Sequence, residues 1–321
     1  MIWKLRGAGT VPRMPAAGER STDEDGAWCM SEGPRRMMRL IGLLSGGAGQ
    51  ARLLAALWVA GALAPLALVP LLSVLQQRGL RITAALSLDA YRDLVETGRW
   101  VVVLRTLEAA AIVTAICLVL GFPFAFWLAK RARSRLVVES VRICLTVPFF
   151  LDPAARTLAL RTLLGAEGPV NALLQALHLT QAPVSWLLFS DFAVYLGLIG
   201  PYFPNMVWPL YLSLMLIGDD LFEASRDLGA SPGQTLRFTV LPLALPGIVA
   251  GIVFTFVPIL GDGVVPALLG GGKQEYLADT VMSLSTSMNY SGAAAVSTIL
   301  LALGTALGAL FWRLGRSRAA S

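Results

Sequence analysis

The chain has 321 residues, 56% of them hydrophobic and 14% charged, and its mean hydropathy is +0.68. A soluble globular domain carries about 25% charged residues. Too few charges are present to cover a water-exposed surface, which excludes a soluble enzyme and a nucleic-acid-binding protein. The formal net charge of +6 is therefore read by its placement along a membrane chain, not by its sum.

Residues 1–50 are polar, rich in Gly, Pro and Arg, and lack a sustained period. They are expected to form a flexible tail without a signal peptide, because the first apolar run comes too late. Six apolar stretches come after it, at 53–75, 104–129, 136–152, 192–217, 243–269 and 293–312. Each can cover a hydrocarbon core of about 30 Å as a helix, the third near the lower limit. Lipid offers no partner to an open strand edge. The fold class expected is thus all-α: a polytopic membrane domain of six transmembrane helices over 51–315, a loop at 218–242, and a short tail at 316–321. The fourth stretch contains Pro201, Pro204 and Pro209 and is expected to be irregular. The fifth contains Pro246, Pro258 and Pro266 and is expected to be kinked or broken.

Lys and Arg set the orientation. They crowd the tail, the segment holding Lys130, Arg131, Arg133, Arg135 and Arg142, and the C-terminal Arg313, Arg316 and Arg318. They thin out in the alternate segments, which places both termini in the cytoplasm. Cys117 and Cys144 lie in apolar runs and read as small buried apolar residues. No CxxC pair is present, so neither a disulfide framework nor a metal site is expected. The single histidine, His178, has no metal or triad partner in the sequence.

The loop between the fourth and fifth stretches is the most informative segment. Asp220 can cap a helix, with Glu223 three residues on. Glu223 and Arg226 can pair at i, i+3. Leu221, Ser225 and Leu228 fall near one face. Gly229 stands where a helix commonly stops. Ser231 then caps a second helix, with Pro232 at its first position and Gln234 completing a capping box. A helix, a tight turn and a second helix should lie on the cytoplasmic face.

Glu223-Ala224-Ser225, Gly229 and the later Leu241-Pro242 resemble the EAA loop of ABC importer permeases. The departure in its core is Ser225, where that family has a second alanine. The resemblance runs from about Leu53 to Leu310 and is nearest to permeases of the spermidine/putrescine, type I class. It is carried also by Pro148-Phe149-Phe150, Arg156-Thr157, Leu163-Leu164-Gly165, Gly168 with Asn171, and Pro266 to Gly271. It implies a bacterial inner-membrane, multi-pass subunit that moves a polyamine-like solute by alternating access. It implies three kinds of partner: a cytoplasmic ATPase dimer, a second permease of the same fold or a second copy, and an external binding protein. Glu223, Ala224, Ser225, Asp227, Gly229 and Pro242 would be the residues that couple to the ATPase. ATP and Mg would be bound there and not by this chain. The chain's nearest approach to a phosphate loop, Gly272-Lys273, has Ala267 and Gln274 where a glycine and a hydroxyl belong.

An ionisable residue inside a span is costly and therefore a functional candidate. Asp262, between Gly261 and Gly263, reads either as an anionic site for a cationic amine or as the cap of a half-helix after a break. Asp152 reads as a pathway residue or as a cap before Pro153. Glu108, near the outer end of its span, would reach interfacial water or Arg105. Tyr202 and Trp208 join the pathway candidates as aromatic faces for an amine. Leu158, Leu160 and Gly263 stand where polyamine relatives carry aromatics, which leaves thiamine, ferric iron or sulfate as other solutes. An intramembrane enzyme would need a constellation such as HExxH or GxSxG, and the sequence has neither. No catalytic residue is assigned. A secondary transporter would not need the 218–242 loop and usually shows an internal repeat.

Overall fold

The computed structural model describes residues 47–79, 81–272 and 275–319. Residues 1–46 of the tail expected over 1–50, and the positions of Lys273 and Gln274, lie outside the described residues. The chain divides into two units, 1–61 and 62–321. The described part of the first is the opening of helix α1 (Gly47–Ser73), so residues 47–50 are helical where the sequence suggested tail. Apolar side chains of α1 are exposed, among them Leu57, Trp58, Leu63 and Leu71.

The second unit continues with a two-stranded antiparallel hairpin, β1 (Leu75–Arg78) and β2 (Arg81–Leu86). The expectation of an all-α chain is corrected by this hairpin. Helix α2 (Asp89–Glu96) leads to α3 (Trp100–Phe126), which runs on through a π-helical turn, Trp127–Arg131. The third apolar stretch yields only α4 (Arg135–Thr146) and a 3-10 turn, Val147–Phe149. The chain then bends by 102° into α5 (Pro153–Leu164) and α6 (Pro169–Ala176). Asp152 and Pro153 cause that corner. The proline cannot continue the preceding helix but suits the first turn of the next. Asn171, fully buried, fastens the corner after α5 by donating to the Gly165 carbonyl at 2.9 Å and accepting from the Val184 amide at 2.8 Å.

Helix α7 (Asp191–Met215) keeps Pro201, Pro204 and Pro209 within one continuous α-helix. The irregularity expected there is absent. The 218–242 segment holds α8 (Asp219–Asp227), α9 (Pro232–Thr235) and a second π-helical turn, Leu236–Val240. It leads into α10 (Leu241–Leu260). The break expected in the fifth stretch falls at 261–263, after which come α11 (Val264–Leu269), α12 (Leu277–Thr286) and α13 (Tyr290–Ala319). The short tail expected from 316 is thus helical to Ala319.

Among the described residues, four helical segments are long and apolar enough to cross a membrane: α1, α3 with its π turn, α9 through α10, and α13. The bent pair formed around Asp152 makes a fifth candidate. α7 is less apolar but lies at the centre, with Leu198, Met206, Leu210 and Leu214 fully buried against Val113 and Cys117 of α3 and Val240 and Ala244 around the start of α10. Where α7 packs on its neighbours, they can re-satisfy the backbone groups that its prolines free. α7 and α10 meet through small residues. A Cβ added at Gly247 would stand 2.4 Å from Ser213 Cβ, and one at Gly251 would stand 2.8 Å from Met206 Sδ. This is close small-residue packing of the kind that holds helices together in lipid. Cys117 is buried as expected, whereas Cys144 is exposed on α4, because that face of α4 is not covered by the bundle.

Candidate functional site

The 218–242 loop is built as the sequence predicts in its second half and differently in its first. Gly229 has φ +78°, a region that Gly reaches without steric strain. The Ala230 amide donates to the Ser225 carbonyl at 3.0 Å and the Gly229 amide to the Arg226 carbonyl at 2.8 Å. That pair of bonds closes a Schellman stop. Nothing lies within 4 Å of a Cβ built at Gly229, so the backbone angle alone demands glycine. Ser231 and Gln234 form the predicted capping box, with Ser231 N–H donating to Gln234 Oε1 at 2.7 Å.

The start of α8 departs from expectation. Gly218 takes the cap position and no side chain caps it, so Asp220 sits inside the first turn. Asp219 instead pairs with Lys130 at 2.9 Å. Glu223 and Arg226 make no ion pair among the described residues. Glu223, Ala224, Asp227, Gly229 and Pro242 lie together at one end of the bundle, and all five are exposed. Ser225 is turned inward. Its hydroxyl donates to the Phe222 carbonyl at 3.0 Å and shares a hydrogen bond with Thr235 Oγ1 at 2.9 Å, tying α8 to α9. A cavity of 870 Å³ lies beside them, lined by Phe126, Lys130, Phe222, Glu223 and Arg226 among others.

At the far end of α10 the second candidate site takes shape. Asp262 Oδ1 accepts the Val264 and Val265 amides at 3.0 and 3.1 Å, so Asp262 caps α11. Its Oδ2 accepts from Tyr202 Oη at 2.9 Å, which ties the break to α7. The cap reading of Asp262 is met by the bonds from Val264 and Val265. Asp279, at the start of α12, lies within electrostatic reach of Asp262. Burial pushes its carboxyl up to about 6, opposed by a hydrogen bond from the Tyr276 backbone and reinforced by Asp262 and Glu275. The other pathway candidates are not brought to this point. Asp152 is exposed and caps α5 through the Ala155 amide at 3.0 Å. Trp208 stacks edge-to-face on Tyr211, ring centres 6.0 Å apart. Glu108 makes no ion pair with Arg105 among the described residues.

Residues 118–318 match the family of binding-protein-dependent transport system inner membrane components. The chain belongs to that family. It is a type I ABC importer permease subunit of the bacterial inner membrane, and ATP hydrolysis lies on a separate chain. The permease is 36% identical over 236 residues to a Salmonella typhimurium protein named spermidine/putrescine transport system permease protein PotB, covering 72% of this chain and 79% of that one. Its counterpart from Escherichia coli K12 is 35% identical over 232 residues, covering 72% and 83%. A molybdenum transport system permease protein from Azotobacter vinelandii is 32% identical over 170 residues, covering 53% and 72%. Among solved structures, a bacterial ABC transporter involved in import of the acidic polysaccharide alginate superposes with a TM-score of 0.65. It covers 89% of this chain and 98% of that one at 17% identity, a likeness of fold alone.

Three features of the permease escape its sequence. Lys130 reads there as one of several membrane-flanking cations, but its ammonium is turned into the loop. Thr235 gives no local sign that it pairs with Ser225 ten residues earlier. Asp279 joins Asp262 only because α12 packs against the break, where a Cβ added at Gly263 would come within 3.0 Å of Ala278 Cβ. The spacing Gly247-x-x-x-Gly251 is the one available signal of the α7–α10 contact.

Proposed function

We propose that the solute carried is a polyamine or a close amine analogue, and that residues 218–242 are the seat of an ATPase. What carries the substrate reading is the identity to permeases named for spermidine and putrescine across 72% of this chain. The carboxylate at the helix break, Asp262 with Tyr202 on it, suits a cation better than an oxyanion such as molybdate. In this reading the full assembly has two ATPase subunits, a second permease of this fold or a second copy, and an external binding protein that delivers the solute. In this reading α7 and the bent pair complete six spans, an even number that leaves both termini on one side, and the Lys and Arg placement favours the cytoplasm for that side.

ATP closes the ATPase dimer and the docked α8–α9 hairpin moves with it. The rigid helices leading from that hairpin switch the bundle between inward-open and outward-open arrangements. ATP and the loaded binding protein must both favour the outward-open state for coupling to exist. Glu223 contributes charge at the docking surface, Ala224 close approach, and Gly229 the turn.

The test is co-expression with the partner ATPase and reconstitution for putrescine and spermidine uptake, native chain against Gly229→Arg. The variant should insert and lose ATPase co-purification and coupled turnover. Unimpaired uptake by Gly229→Arg would remove the coupling assignment. Uptake of neither amine by an otherwise active complex would remove the substrate assignment.

A further inference from the structure

We infer that Lys130 is a positioning residue for transport: its ammonium is the strut through which motion of the coupling hairpin reaches α3. The inference rests on the coupling reading of residues 218–242.

The local winding comes first. Trp127–Arg131 forms a π turn, closed by the Ala132 amide donating to the Trp127 carbonyl at 2.9 Å. One extra residue in a turn rotates the downstream side chains by about 100° relative to an unbroken α-helix. The Lys130 side chain is only 12% exposed, whereas Arg133 and Arg135 a few residues on face water.

Lys130 Nζ then meets three groups on the far side of the bundle's end. It donates to the Ile217 carbonyl at 2.5 Å, pairs with Asp219 Oδ1 at 2.9 Å, and lies 5.6 Å from the centre of the Phe222 ring. Ile217 lies just past the end of α7, where carbonyls lack helical partners and the helix end is negative. Asp219 opens α8. One ammonium thus bridges the end of α7, the start of the coupling helix and the end of α3, across 87 and 89 residues of sequence. Phe126 of α3 stacks on Phe222 from beside it, ring centres 6.3 Å apart.

The three contacts are unequal. The Asp219 side chain is 84% exposed, and an ion pair open to water is screened and adds little. The carbonyl contact is part-buried, and a buried ammonium without acceptors is costly. The strut therefore depends on hydrogen bonding to the Ile217 carbonyl more than on the charge of Asp219. A hairpin displaced by its ATPase moves the 216–218 connector that leads into α8, and that connector pulls on α3 through the bond to Ile217. Without the ammonium, the exposed Asp219 pair is lost as well, leaving the ring contact of Phe126 with Phe222 to join α3 to α8.

The experiment uses the complete complex in proteoliposomes, with putrescine as the transported probe. Lys130→Arg, Lys130→Gln and Lys130→Met form a graded series in donor capacity, and Asp219→Asn removes only the exposed charge. The readouts are ATPase co-purification, ATP hydrolysis and putrescine taken up per ATP. Lys130→Met should insert, keep its ATPase and lose uptake per ATP by roughly 5- to 150-fold, the range of ordinary coupling between sites. Lys130→Gln should fall between, Lys130→Arg should restore most of the ratio, and Asp219→Asn should stay within about twofold of native. Native uptake per ATP in Lys130→Met overturns the strut. So does an equal loss in Asp219→Asn, or a Lys130 series that fails to insert, since then the residue serves charge or folding. Failure of the native chain to hold any ATPase is a different result: it removes the coupling reading itself, and the strut with it.

Discussion

Ser225 stands where the resembling loops carry alanine, and its hydroxyl has a structural role. It satisfies Thr235, which is 7% exposed, and so fastens α8 to α9. Truncation by Ser225→Ala leaves the Thr235 hydroxyl without its protein partner, at a cost of about 1 kcal/mol or somewhat more. Thr235→Val in that background removes the orphan and should restore most of the loss. The expected outcome is a lower thermal midpoint and faster proteolytic cutting at Gly229–Ser231 in the single variant, with both reversed in the double variant. Equal behaviour of native and Ser225→Ala would mean that water replaces the serine hydroxyl. At this scale the sequence is legible wherever the cause is local. Gly229, Ser231 and Gln234 act on residues within a turn of themselves, and each takes the place its neighbours dictate. Asp220 departs from its expected cap because the competing influence is remote: Asp219 is drawn to Lys130, and Gly218 takes the cap.

At the scale of elements, the break between α10 and α11 separates two roles of one carboxylate. As a cap, Asp262 needs only an oxygen acceptor toward Val264 and Val265. As a cation site it needs its charge. Asp262→Asn keeps an acceptor and loses the charge, whereas Asp262→Ala loses both, with a cap loss of about 0.5–2 kcal/mol. For a site that binds an amine, Asp262→Asn should raise the KM for putrescine with little change in thermal midpoint, and Asp262→Ala should lower the midpoint as well. A native KM in Asp262→Asn leaves the cap as the residue's role. Proline spacing made a break in this stretch legible but not its place, because Pro246 is absorbed within α10 and the chain gives way at the two glycines flanking Asp262. The prolines of α7 misled for the opposite reason. Their neighbours supply the packing, and Asn205 ties α7 to the Phe254 carbonyl of α10 at 3.2 Å. The hairpin of Leu75–Arg78 and Arg81–Leu86 is marked in the sequence only by Gly79, with φ +61°, and the β-branched Ile82 and Thr83. Its stability comes instead from distant bonds, since Gln77 donates to the Met288 carbonyl at 2.6 Å and accepts from the Ser291 amide at 2.9 Å.

For the whole molecule, the side on which each face lies follows from parity. Among the described residues between Arg226 and Ser287, the only long apolar helix is α9 through α10. α11 has 6 residues and α12 has 10, about 9 and 15 Å at 1.5 Å per residue, too short to cross a core of about 30 Å. If that helix crosses once, Arg226 and Ser287 lie on opposite sides of the membrane. In the orientation proposed above, with the basic residues around α3's end on the inner face, Arg226 is on the cytoplasmic side. In a chain with Cys29, Cys117 and Cys144 replaced by alanine, Arg226→Cys and Ser287→Cys supply one thiol on each face. A membrane-impermeant maleimide should label Ser287→Cys in right-side-out vesicles and Arg226→Cys only in inside-out ones. Labelling of both from one side would mean that α10 and α11 together form a re-entrant hairpin. The span count would then lose its fifth member, and the termini would fall on opposite sides. The reverse pattern, with Arg226→Cys reached from outside, would put the hairpin beyond the reach of ATP and end the coupling assignment outright.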